Sequence, residues 1–230
     1  MSTRSTSKQF IISVFFSFFA VAVNYLISLI ITPFITENIG TEAYGFVSLA
    51  KTFSNYASIF TIALNSFSSR YISIEYHKGN KEKANVYYNS VFIADILMAA
   101  AIFGVALAII VNLDKFLVIP NDLISDVKKL FLLDTINFLI LSCSTTFVTA
   151  TTIKNRLEMG SLARAISYLA EAAFLFIAFS LMSPRIYYVG IGLIISSCVI
   201  LFINIGLTAK LTPDLKLQKG HFSLDAVKNY

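Results

Sequence analysis

The chain has 230 residues, of which 57% are hydrophobic and only 13% charged, and its mean hydropathy is +0.75. Such values exclude a soluble globular protein and point to an integral membrane protein. The net charge of +5 does not imply a nucleic-acid partner, because no soluble basic face exists to carry one; it reflects membrane topology and anionic lipid headgroups.

Six apolar segments follow one another: residues 10–36, 43–69, 84–112, 127–153, 164–182 and 186–208. Backbone groups in lipid must be satisfied within the segment and no alternating barrel pattern is present, so all six are predicted to be transmembrane helices and the fold all-α and polytopic. Residues 10–36 and 186–208 carry no charged side chain, and both exceed the ~20 residues needed to cross the hydrocarbon. The first is too long for a secretory signal and no A-x-A cleavage site follows it.

The first two helices meet at ITPFITENIGTEAYG, beginning at Ile31. There Pro33 is expected to kink or end the first helix, Gly40 to supply the backbone angles for leaving it, and Thr41 to cap the second, with Glu42 in its first turn. The remaining connections are short, and none has room for an extramembrane domain. Alternate connections hold thirteen lysines and arginines against four in the others, which predicts that both termini are cytoplasmic. Lys51 belongs to neither set and lies inside the second helix.

Polar residues within the spans suggest a water-filled path. On the second helix Lys51, Asn55, Ser58, Asn65 and Ser69 fall within roughly an 80° stripe at helical spacing, and the first helix has a weaker stripe in Ser13, Ser17, Asn24, Ser28 and Thr32. Ser13 and Ser17 read as residues that knit helices together. The Lys51 stripe reads as cavity lining, since a lysine at the centre of a span costs about 2.5–3.5 kcal/mol and helix packing does not require it. Three acids, Asp95, Asp134 and Glu171, also lie within spans. Asp134 sits at a depth similar to Lys51 and is expected to pair with it. Asp95 and Glu171 are either hydrogen-bonded structural acids or sites for a coupling proton or sodium ion. Arg70 is either an attractor of an anionic headgroup or a positive-inside anchor.

Catalytic chemistry is not evident. Cys143 and Cys198 are both within spans, and His77 and His221 have no partner at metal-ligand spacing. No P-loop, G-x-S-x-G or H-E-x-x-H occurs, so neither an enzyme nor a cofactor is implied. Asp114, Asp122 and Asp126, beside Lys128 and Lys129, read as a solvated helix start.

Thr32, Pro33, Phe34, Gly40, Tyr44 and Gly45 at the first joint resemble the first loop of bacterial Wzx-type polysaccharide-unit flippases, in the multidrug/oligosaccharidyl-lipid/polysaccharide exporter superfamily. SRYISIEYHKGNKEKAN (from Ser69) resembles their basic second loop, and FLVIPNDLISDVKKLF (from Phe116) and KNRLEMGSLARAIS (from Lys154) resemble later segments. The resemblance implies a two-lobed exporter of which residues 1–209 form the N-terminal six-helix lobe. Residues 210–230 would be a cytoplasmic tail or a linker, and HFSLDAVKNY (from His221) resembles the lead-in to a seventh helix. It further implies alternating access for a polyprenyl-diphosphate-linked oligosaccharide moved from the inner to the outer leaflet. Helices one and two would line the cavity, Lys51, Asn55, Asn65, Arg70 and Asn24 would contact the head group, and Asp95, Glu171 and Asp134 would be candidates for ion coupling. The implied partners are membrane lipid, a second lobe or second copy of the chain, and polysaccharide assembly machinery. A cation-coupled drug exporter of the same superfamily and a truncated non-transporting protein are the alternatives.

Overall fold

The computed structural model describes residues 3–217, with side chains described for all but residues 3–8, 10 and 63–68. These residues form seven helices and no strand: α1 (Thr3–Ile39), α2 (Thr41–His77), α3 (Lys81–Val111), the short α4 (Leu113–Phe116), α5 (Ile124–Ile153), α6 (Leu157–Leu181) and α7 (Tyr187–Leu211). The protein is therefore an all-α polytopic membrane protein, and each of the six predicted spans lies on a long helix. Five helical stretches are long and apolar enough to cross a membrane: Ile11–Ile39, Lys81–Val111, Ile124–Ile153, Leu157–Leu181 and Tyr187–Leu211. The exception is α2, which matches α1 at 37 residues but is diluted by Lys51, Asn55 and a run of hydroxyls. The polar span is thus the second, the helix on which the sequence places the Lys51 stripe.

Helix ends depart from expectation in a consistent way. Pro33 neither ends nor breaks α1, which continues to Ile39. Gly40, with φ +87° and ψ 158°, makes the turn and is itself the N-cap of α2. Thr41 is the first helical residue and no side-chain cap is formed, so the expected threonine cap is replaced by a glycine whose backbone angles are open essentially to glycine alone. The expected basic loop after Ser69 is mostly helix. α2 runs on to His77, Gly79 turns the chain at φ +84°, and the Asn80 side chain accepts from the Lys83 amide to start α3. Likewise α6 begins at Leu157, seven residues before the expected start at Arg164. Charged residues thus sit on the projecting ends of helices, where they still anchor topology without needing a loop.

Packing order differs from chain order. α5 and α7 form the most extensive helix pair, α1 packs on α6, α6 on α7, and α5 on both α2 and α3, which also pack on each other. α1 and α2, although consecutive, touch little. The close α5–α7 approach depends on Gly190, where a Cβ would stand 2.7 Å from the Leu133 Cβ. Ser13 donates to Glu158 at 3.0 Å and Ser17 lies 3.0 Å from Ser161, so these serines do join α1 to α6.

Apolar cores occupy the two ends of the bundle. Ile35, Val47, Leu113, Val127, Leu130 and Leu175 are among those that close the end at Gly40. Ile72, Ala84, Tyr88, Val91, Ile153 and Leu215 pack α2, α3 and α5 together at the end near Asn80, with no residue of α1 or α6 among them. The middle is polar. At the Gly40 end, Asp126 is buried and not solvated as expected: Arg185 and Lys129 approach it at 3.3 and 3.7 Å, because the start of α5 folds under the α6–α7 connection.

Candidate functional site

Between the two apolar ends lies a cavity of about 610 Å³. Its walls come from α1, α2, α5, α6 and α7, and α3 contributes no lining residue. The α1 wall carries Asn24, Ser28 and Thr32; the α2 wall carries Lys51, Ser54, Asn55 and Ser58. Because α1 and α2 are joined at Gly40 and otherwise touch little, the cavity lies in the wedge between them. The Thr32 hydroxyl and Tyr44 OH, 3.2 Å apart, bridge the two walls near the apex.

The charged groups converge from three helices. Lys51 (α2), Asp134 (α5) and Glu171 (α6) all line the cavity, and Lys51 lies close enough to both acids to act on them electrostatically. The expected Lys51–Asp134 salt bridge is not formed: among the described residues no ion pair joins them, and Asp134 accepts instead from the Ser54 hydroxyl, one turn along α2 from Lys51. Ser54 competes well because it sits on the helix face packed against α5, whereas Lys51 is exposed to the cavity. The carbon stem of Glu171 rests on Gly192 of α7, where an added Cβ would be 3.4 Å from its Cγ.

The remaining candidates separate. Asn24 and Asn55 line the cavity. Arg70 is exposed and is not among the described lining residues. The Asn65 side chain lies outside the described residues. Asp95 is fully buried and not in the lining; it sits behind the α5 wall, where it accepts from Thr146 at 2.9 Å and from the lining residue Thr145 at 3.2 Å. That leaves two cavity acids beside one lysine, in place of the three buried acids counted from the sequence.

Of the far wall, sequence reasoning named only Asp134 and Glu171. On α5 Asp134, Asn137, Leu141, Ser144, Thr145 and Val148 advance at helical spacing, on α6 Tyr168 and Glu171 are one turn apart, and Asn204 of α7 donates to Ser144 at 3.0 Å. The α5 stripe was as periodic as that on α2, but its polar members alternate with Leu141 and Val148, which hid it in an apolar segment.

Comparison with known proteins then places the chain. The family described as polysaccharide biosynthesis protein matches residues 11–223, nearly the whole length. The chain belongs to that family. This agrees with the resemblance to polysaccharide-unit flippases carried by the joint and loop motifs. Among curated relatives, the chain is 27% identical over 194 residues to a protein of Bacillus subtilis (strain 168) named "Uncharacterized membrane protein EpsK". The match covers 84% of this chain but 38% of that protein, so the chain spans well under half the length of its relative. No solved structure matches significantly.

Proposed function

We propose that this family member is one lobe of a flippase, residues 1–209, that moves a polyprenyl-diphosphate-linked oligosaccharide from the inner to the outer leaflet for surface polysaccharide assembly. The observation that carries the reading is a polar, charged cavity in the wedge between α1 and α2, within otherwise apolar helices. A hydrated groove of this kind lowers the cost of taking a sugar and diphosphate across hydrocarbon, while a lipid tail can stay outside among the exposed Phe15, Phe18, Leu29 and Ile30 of α1. Lys51, Asn55 and Asn24 contact the head, Asn65 extends the same stripe, and Arg70 stands at the mouth. The basic residues around the Asn80 end put that end in the cytoplasm, so the wedge as described faces inward. Alternating access follows if a second lobe, or a second copy of the chain, rocks against this one. Each state must bind the head weakly enough to release it.

An anionic head beside Asp134 and Glu171 requires those acids to be neutralised by protons or cations. This gives them a coupling role: discharge on one side of the membrane would alter how firmly Lys51 holds the head. A cation-coupled drug exporter is the second reading, favoured by the excess of acid over base in the cavity, with Glu171 as the ion site.

The test is a proteoliposome assay with the full-length protein and a fluorescent polyprenyl-diphosphate oligosaccharide. Dithionite-protected probe should redistribute between leaflets, at least tenfold more slowly with Lys51→Gln, which forfeits a charge-assisted contact worth roughly 1.5–3 kcal/mol. Redistribution at the protein-free rate would refute the flippase, and proton-driven loss of a cationic dye from the same vesicles would select the exporter.

A further inference from the structure

Beyond α7, where a tail or linker was expected, residues 212–217 cross back over the hairpin formed by α2 and α3. The backbone of Lys216 is held on both its polar groups: its amide donates to the Asn85 side chain at 2.9 Å, and its carbonyl accepts from the Asn89 side chain at 2.9 Å. Asn85 and Asn89 are one turn apart on α3, both are buried, and Asn89 also donates to the Asn85 carbonyl at 2.8 Å. Leu215 is buried among Ile72, Ala84, Tyr88, Val91 and Ile153. Asp214 pairs with Lys81 at 2.7 Å and accepts from Tyr76 at 3.3 Å, and Lys154 lies 5.0 Å over the Tyr76 ring. The contacts therefore touch the last turn of α2, the first turns of α3 and the turn after α5.

We infer that residues 212–217 are a strap that helps to fix the far end of α2, with the helices packed on it, and so sets how wide the cavity between α1 and α2 opens. The lever geometry makes this effective. α2 meets α1 at Gly40 and at the nearby Thr32···Tyr44 contact and otherwise touches it little, and its 37 residues extend it by about 55 Å. A small rotation about Gly40 becomes a displacement of several ångströms where the strap grips, so contacts there resist opening far better than the same contacts near Gly40. Lys51, Asn55 and Ser58 lie between the two points and would move with the helix. Recognition of Lys216 through its backbone holds the strap without regard to that residue's side chain. The Ser69···Thr149 contact at 3.1 Å ties α2 to α5 nearer the middle, and in the last two turns, where Ile72 packs on α3 and α5 and Tyr71 on Tyr87, the strap adds its own grip through Leu215 and Asp214.

The inference concerns the cavity's width and does not depend on what the cavity carries. It is tested on the full chain in inverted vesicles, with Cys143 and Cys198 replaced by serine and a reporter Ser58→Cys. Modification by a membrane-impermeant thiol reagent should become about tenfold faster when Asn85→Ala and Asn89→Ala release the strap, the population shift expected from losing one to two hydrogen bonds. In a second variant, Lys81→Cys with Asp214→Cys, oxidation should slow modification and reductant should restore it. Equal rates in the released, oxidised and reduced proteins would overturn the strap. If the alanine pair fails to accumulate, the reversible disulfide decides alone: an unchanged rate refutes the inference and a reductant-sensitive rate supports it.

Discussion

Replacing Gly190 by alanine tests the packing that fixes the cavity's far wall. An ideal Cβ there would meet Leu133 Cβ at 2.7 Å, Leu133 Cδ1 at 3.1 Å and the Leu130 carbonyl at 3.5 Å. The nearest of these atoms is bonded directly to the α5 backbone, so a rotamer change cannot relieve the clash; α5 and α7 must separate by roughly 1 Å to restore carbon–carbon contact near 3.5–4.0 Å. Overpacking of this kind costs about 1–3 kcal/mol, against which alanine recovers up to about 1 kcal/mol of helix propensity. Gly190→Ala should therefore be destabilised by as much as ~2 kcal/mol. Gly192→Ala would meet only the side-chain atoms of Leu175 and Glu171, at 3.3–3.4 Å, and Gly206→Ala nothing within 4 Å. The expected order of stability is Gly206→Ala, then Gly192→Ala, then Gly190→Ala, read as denaturation midpoints of the purified protein in one detergent. Should Gly190→Ala unfold with or after Gly206→Ala, the close α5–α7 approach is wrong, and so is the placement of Val189 and Leu193 at the cavity wall between those helices.

Gly40→Ala should cost about 1–3 kcal/mol, since its φ of +87° and ψ of 158° are essentially reserved for glycine, and the denaturation midpoint should fall although no neighbour blocks a Cβ. Glu158→Ala should lower stability by about 2 kcal/mol, because Gln9, Ser13 and Arg156 all donate to this one carboxylate; limited proteolysis should then cut sooner near the start of α6. Asp214 is held below the usual carboxylate range, first by its hydrogen bond from Lys81, with Tyr76 and Lys154 also facing it. Its folded pKa being depressed, the stabilisation is present above the unfolded value of about 4 and lost as pH falls through the folded value. The stability gap between the parent and Asp214→Asn should thus be constant at neutral pH and close on acidification below about pH 4; a gap that widens with acid would reverse the assignment.

The membrane class, the existence of the long helices and the α1–α2 walls were legible because hydropathy and 3.6-residue periodicity survive in a single sequence. Lys51 and Asn55 announced the cavity by their cost in lipid. What could not be read was the partner of each polar group. Asp134 takes Ser54 in place of Lys51, and Asp95 turns to Thr145 and Thr146, because helix rotation and packing order decide these choices and neither is written in spacing. Helix ends were misjudged for a related reason: charged residues such as Arg70, Glu75 and Lys83 were taken to mark loops, but a long helix projecting beyond the hydrocarbon carries them readily. The strap was invisible, since Asn85 and Asn89 recognise backbone and leave no side-chain signature on residues 212–217.

The serine contacts joining α1 to α6 span 144 and 145 residues of sequence. At ribosomal speeds of ~5–20 residues per second, α1 leaves the ribosome on the order of 10 s before the helix that receives it exists. Throughout that interval Ser13 and Ser17 lack their α6 partners, so the nascent first helix must wait in lipid, or beside a chaperoning insertase, until the sixth arrives. Assembly of the cavity is therefore a late event in the birth of this protein, and substitutions in α6 should expose α1 to quality-control proteases.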